Sequence, residues 1–294
     1  MKTNKDKLAM ISVQGTIVNP THQARHGVSH EGKPFMLPGT GGITYNVRVG
    51  DPAFGWEVDH VEPGVSTVLD EKDRSSPTNR GYNFYACVGN VARVVTGDAK
   101  GAKGVVTGHH GGAEHVLIDF SPSVLEQLTL DDKFLIKAFG QGLRLLDYPD
   151  VHVYNLDPNL LSEMGISEKG GELHVPVVAS VPSFLMGSGV GSTSMGTGDY
   201  DIMTADENAL REHGLDKLCF GDIVHIEDHD NAFGRCYRKG ASTIGVVIHS
   251  DCKWAGHGPG VTTVLTSAKP ILKPAISPHA NIARILKIGR FESQ

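Results

Sequence analysis

Short β-branched runs, each closed by glycine, recur along this chain and constrain its fold more than any other feature. NVARVVTGD, GVVTGHHGG, HVLIDF and KFLIKAF follow one another within residues 81–147, with turn signals at the spacing of small all-β units. The 36 glycines in 294 residues cluster beside such runs, as tight turns between short strands require. Later runs repeat the pattern: LHVPVVASVP, DIVHIE, a strand around GRCYRKG, STIGVVI and VTTVLT. Earlier, LAMISV and TIVNP suggest a strand pair, ITYNVRV another strand, and DEKDRSSPTN an exposed loop. The expectation is a mainly β (α+β) chain with a few short helices and several small subdomains. An irregular β-containing part spans residues 1–80, a small barrel 81–147, and a β-rich part carrying polar loops 148–294.

Three helices are predicted. Asp157 caps one, with Pro158 at its first position and Gly165 after its end. ADENALREHG (205–214) forms a charged surface helix, and ISPHANIARILKIG a modest one capped by Ser277 with Pro278 at its start. The run GNVARVVTGDAKGAKGVVTG resembles a KOW-type motif, which implies an SH3-like barrel; Gly97, Gly101 and Gly104 would supply its turn. KOW barrels contact nucleic acid and ribosomes, and Arg93, Lys100 and Lys103 offer only a thin basic patch for that.

The net charge is −6, which argues against wholesale binding to phosphate backbones, so nucleic acid is not an expected partner. No apolar run reaches the roughly 18 residues of a membrane span, and the N-terminus does not read as a signal peptide. Cys87, Cys219, Cys236 and Cys252 are scattered without a CxxC pair, so a cytoplasmic chain with free thiols is expected. A small-molecule substrate, no membrane and a homo-oligomeric state complete the expected partners.

Four regions carry more chemistry than folding requires, one of them joining two segments. HIEDHDN (225–231) ends one strand and HSDCKWAGH (249–257) follows another. An antiparallel meander would bring His225, Asp228, His249 and Asp251 together as ligands for a divalent ion, zinc or manganese. The competing reading is a hydrogen-bonded network of structural groups. His257, between glycines, is placed as a general acid/base beside open backbone N–H groups. Cys252 is a second candidate, a nucleophile, against the bland reading of a buried thiol. In GDYDIMTAD, Asp199 and Asp201 stand two residues apart, so an extended backbone puts both on one side. That suits acid/base work by Asp201 or a hard cation. In GHHGG, His109 and His110 point to opposite sides, and one at most enters a given site. DPAFGWEVDHVE offers Asp59 and His60 with Trp56 as a ligand cover, and Arg235 could orient a substrate carboxylate. The GxGxG within FLMGSGVGSTSMGTG opens no helix, which excludes a dinucleotide site. Convergence of Asp59, His110, Asp201, Asp228, His249 and His257 in one cleft would mark a site; dispersal would favour the bland reading.

YACVGNVARVVTGDAKGAKGVVTGHHGG, the MGSGVG to GDYDIM stretch and GDIVHIEDHDNAFGRCYRKGASTIGVVIHSDCKWAGHGPGVTTVLTS together resemble the bacterial family described as domain of unknown function 4438. That resemblance covers nearly the whole chain and implies a β-rich fold with a translation-factor-like barrel. VPSFLMGSG and GDIVHIEDHD are similar in pattern to segments of acetamidase/formamidase proteins, although this chain lacks their usual HxxxGD-like detail. The likeness implies metal-assisted hydrolysis of a small amide or cyclic amide. The alternatives are a non-catalytic small-molecule binding or regulatory protein, and an RNA- or ribosome-contacting protein.

Overall fold

The computed structural model describes residues 1–21, 26–69 and 72–292. Six antiparallel strands close into a barrel in the order Ile11–Ile17, Lys133–Ala138, Val91–Val94, Lys103–His110, His115–Asp119 and Gly64–Val68, and the last pairs back to the first. Closure leaves no free edge to recruit another chain. Inward side chains, among them Ile17, Val65, Tyr82, Val94, Phe120, Phe134 and Ile136, fill the interior. The motif turn is glycine-bound: Gly97 and Gly101 have φ of +63° and +98°, and a Cβ on Gly104 would lie 2.5 Å from the Asp119 carbonyl.

The barrel draws two strands, Ile11–Ile17 and Gly64–Val68, from before residue 81. LAMISV and TIVNP supply one strand rather than a pair, because residues 11–16 keep unbroken register with residues 133–138. Of ITYNVRV only Ile43–Thr44 is strand. The segment read as the loop DEKDRSSPTN includes residues 70 and 71, outside the described residues, and a helix start. Ser76 accepts the Asn79 N–H, Pro77 sits at the first position, and the helix runs Pro77–Tyr85 across the barrel.

The C-terminal part is built on a mixed sheet ordered His152–Val153, Gly260–Ser267, Cys236–Val247, Ile223–Asp230 and Ala179–Val181, with Tyr200–Asp201 also paired to Gly260–Ser267. The two strands expected at GRCYRKG and STIGVVI are one, twelve residues long. A three-stranded sheet, Ser167–Lys169, Glu172–Val177 and Leu272–Ile276, flanks it. The Asp157-capped helix runs Pro158–Glu163 and the Asp206-capped one Glu207–Glu212. The last helix, Ile282–Leu286, is capped by Asn281 instead of Ser277, whose N–H is bonded to the Val177 carbonyl. Five short helices are found among the described residues, and none is long and apolar enough to cross a membrane.

Barrel and sheet meet along the Lys103–His110 strand. The Gly108 position is entered by Ile248, whose Cγ2 lies 2.2 Å from where a Cβ would stand. Next to it, Thr262 Oγ1 accepts the His109 N–H at 3.1 Å and donates to the His109 carbonyl at 3.0 Å.

Candidate active site

At this seam four histidines and two aspartates converge. His110 ends a barrel strand, and the turn Gly111–Gly112 joins it to His115, its cross-strand partner. Asp199 and Asp201 flank Tyr200, whose side chain is buried on the opposite side, in the C-terminal core. Asp201 pairs with Gly260. His249 lies just past Cys236–Val247. The loop carrying Asp59 and His60 is bound to that segment, because Ser250 N–H donates to the Val61 carbonyl at 3.0 Å and Asp251 N–H to the Ala53 carbonyl at 2.9 Å.

Each of the four imidazoles has Nδ1 beside an oxygen. For His110 it is Glu62 Oε1 at 2.6 Å, for His249 the Ser250 carbonyl at 2.8 Å, for His60 Asp59 Oδ1 at 3.0 Å, and for His257 the Ala255 carbonyl at 3.0 Å. An N–H at Nδ1 satisfies each contact and makes Nε2 the nitrogen that can ligate once it carries no proton, the arrangement by which a supporting oxygen fixes the tautomer of a metal-ligating histidine. Two triads result, each with its ligand atoms within 4.8 Å of one another: His110, Asp199 and His249, all buried, and His60, Asp201 and His257 nearer the surface. A third combination, Asp59, His60 and Cys252, meets the same distance but shares His60.

The aspartates make this a place for positive charge. Burial opposes ionisation of Asp199, yet His249 outweighs it and lowers the carboxyl's pKa. Burial likewise opposes a charged imidazole at His249, and Asp199 and Asp201 overcome it, raising the group well above its ordinary value. His249 Nε2 and Asp199 Oδ2 lie 2.9 Å apart but without hydrogen-bond alignment, and both are buried with no hydrogen-bond partner. Burial, then the neighbouring His249, pushes His110 down and favours its neutral form. Behind it, Glu62 is fully enclosed and accepts from Gly41 N–H, Ser66 Oγ, His110 and His115. Burial works against its charge, but His115 and His110 hold the carboxyl well below its usual range.

Two cavities open onto the cluster. One, of about 420 Å³, is lined by His60, His110, Asp199, Asp201 and His257 together with Arg80, Glu114 and Arg235. The other, of about 360 Å³, shares His60 and His110 and adds Phe35, Met36 and Trp254. Arg235 is 3% exposed and has no carboxylate within ion-pair distance among the described residues. Its Nη2 donates to the Ser194 and Thr197 carbonyls, its Nε has no partner, and its guanidinium lies 5.4 Å from the Tyr200 ring centroid.

Of the six residues whose convergence marks a site, Asp59, His110, Asp201, His249 and His257 meet here, and Asp228 does not. Asp228 stands at a β-bulge with φ +53°, where its carboxylate accepts the Gly240 N–H at 2.6 Å. The bulge turns it away from the strand end on which its expected role as a ligand depended. His225 spends both nitrogens on hydroxyls, Nδ1 with Ser180 and Nε2 with Ser242, so neither is left for an ion. Asp251 accepts from Thr204 Oγ1 and the Cys252 N–H, bracing the loop behind the cluster. Burial and then Asp59 push the Cys252 thiol far up, which removes the thiolate a nucleophile needs. Trp56 donates to the Pro52 carbonyl and packs on the main core. The indole at the site is Trp254, bonded to Asp59 and edge-on to Phe35 with centroids 5.4 Å apart. His109 is the histidine of its pair that points away, to the Ala86 carbonyl. Glu62 closes the stretch DPAFGWEVDHVE, and Glu114 and His115 the stretch GHHGGAEH, but neither stretch assigned them a role; the carboxylate two residues after His60 and the histidine across the Gly111–Gly112 turn from His110 were the available signals.

The description domain of unknown function (DUF4438), N-terminal, matches residues 26–162, and its C-terminal counterpart matches residues 163–286. The solved structure described as "Crystal structure of TM1086" is 49% identical to this chain, covers 96% of it and 98% of its own length, and superposes with a TM-score of 0.91. No curated protein matches. With both halves matched and a relative this similar along the chain, the protein belongs to the DUF4438 family.

Proposed function

We propose that the chain is a metal-assisted hydrolase of a small amide or cyclic amide, with a zinc or manganese ion held by His110, Asp199 and His249. The observation that carries this reading is the buried convergence of His110, Asp199 and His249, in which His249 Nε2 and Asp199 Oδ2 face each other at 2.9 Å without hydrogen-bond geometry and with no other partner. Native proteins seldom bury such groups without an ion, a water or a functional reason. A divalent ion there supplies Lewis acidity toward a carbonyl oxygen and activates water at neutral pH.

The chain's own residues account for the rest. Arg235, buried and without a carboxylate partner, orients an anionic group of the substrate. Glu114 lines the same cavity, and burial raises its carboxyl, which suits it to hold a proton and give it to the leaving nitrogen. Water oxygen bonds to the carbonyl carbon, the C–N bond breaks, and the proton that Glu114 gives to the leaving nitrogen is replaced by the one the water loses. Phe35, Met36 and Trp254 in the adjoining cavity suit an apolar portion of the same molecule. The four cysteines are free among the described residues, in keeping with the cytoplasm as the proposed compartment.

The test is metal analysis of protein purified without added metal, followed by activity against amides and cyclic amides. A bound divalent ion, lost in His249→Ala together with turnover, is the expected result. Less than about a tenth of an equivalent of any divalent ion, with no activation by zinc or manganese, overturns the reading. The non-catalytic binding alternative is favoured by the Asp199–His249 pair, which can neutralise itself by a proton. It predicts ligand affinity with no turnover to lose.

A further inference from the structure

We propose that His60, Asp201 and His257 hold a second divalent ion beside the first, making a two-metal centre in which the Asp201 carboxylate lies between the ions. The inference rests on the first ion's assignment to His110, Asp199 and His249. The second triad repeats the chemistry of the first: two imidazoles and one carboxylate within 4.8 Å. His60 and His257 each have Nδ1 occupied, by Asp59 and by the Ala255 carbonyl, which leaves Nε2 to ligate. Asp201 faces both sets, with Oδ1 3.6 Å from His249 Nε2 and Oδ2 3.8 Å from His60 Nε2. These gaps are too long for direct hydrogen bonds. A carboxylate between two ions about 3.5–4 Å apart is the usual bridge of two-metal hydrolytic sites.

The surroundings are built to hold this geometry. His60 keeps a left-handed backbone, φ +57°, without being glycine, and such strain persists where the neighbouring structure enforces it. Its ring centroid lies 5.0 Å from that of His249 and 5.4 Å from that of His257. Asp59, which orients it, is itself held by Trp254 Nε1 at 3.2 Å. Nitrogen and carboxylate donors without thiolate favour zinc, manganese, cobalt or iron(II) over copper(I), and over calcium, which takes oxygen ligands.

The experiment is a titration of the chelator-stripped, full-length protein with Mn²⁺ and with Zn²⁺, read by calorimetry and elemental analysis, with electron paramagnetic resonance of the Mn²⁺ form. Two equivalents and an exchange-coupled dimanganese signal are expected. His257→Gln, at the accessible edge, should bind one equivalent and give an uncoupled signal while keeping the native circular dichroism spectrum. One equivalent in the native protein, unchanged in His257→Gln, overturns the second ion and leaves the hydrolase reading standing. No binding at all overturns both. Two equivalents retained by His257→Gln and by His60→Asn overturn the assignment of these residues.

Discussion

At the residue scale, Gly260 shows how little room the first triad leaves. A Cβ there would lie 1.8 Å from Asp199 Oδ2 and 2.3 Å from His249 Nε2. Gly260→Ala must therefore displace ligand atoms, and it should weaken divalent-ion binding by more than about tenfold, since a shift near 1 Å spoils a site; calorimetric titration of the variant checks this. Cys252 offers a contrast. Its buried, protonated thiol should resist iodoacetamide in the native protein while exposed Cys236 labels readily, which mass spectrometry of native-state alkylation resolves. His225 has a pH signature. Burial, then Lys273, pushes it down to about 4 from 6.5. Between these values the unfolded chain binds a proton that the folded chain refuses. Its contribution to stability is therefore lost as pH falls from 6.5 to 4 and is present in full above 6.5. Comparing denaturant unfolding of the native protein and His225→Asn, the stability gap should widen with rising pH across that window, by on the order of 3 kcal/mol at most. A flat gap would contradict it.

At the element scale, the joint between barrel and sheet is a test of packing. Gly108→Val would drive a side chain into Ile248. Overpacking of this kind costs about 1–3 kcal/mol, and Ile248→Ala in the same chain should recover much of it, as a double-mutant cycle would measure. The elements legible in the sequence were those decided by local rules. Strand alternation alone placed Asp199 and Asp201 on one side and parted His109 from His110. The Asp157 cap followed from chemistry that acts within a turn. What was illegible depends on distant partners. At the Asp228 bulge the carboxylate accepts the N–H of Gly240, twelve residues away. His225 was taken from the candidate ligands by hydroxyls of two neighbouring strands. Closure of the barrel by Ile11–Ile17 and Gly64–Val68 is a long-range pairing that no window of sequence contains. Trp56 was the indole expected over a ligand, and only the folded loop puts Trp254 against Asp59.

At the scale of the whole molecule, the proposed ion binding would be linked to folding. The ligands come from loops and strand ends spread over residues 60–257, so the unfolded chain cannot assemble them and an ion binds the folded form almost alone. Saturating the site at about a hundred times Kd should stabilise the fold by about 2.7 kcal/mol, seen as a higher Tm with Mn²⁺ or Zn²⁺ that chelator reverses. The same rise should be smaller in His110→Ala. Each triad takes one histidine from the N-terminal matched half, His110 or His60, and an aspartate and a histidine from the C-terminal half. This division has a consequence for the order of events during synthesis. A growing chain carries His60 and His110 long before Asp199, Asp201, His249 and His257 have been made. Neither triad can be completed on the ribosome by an early segment that meets an ion by chance. On the proposed assignment, the finished seam would choose the metal, and loading would be the last act of maturation.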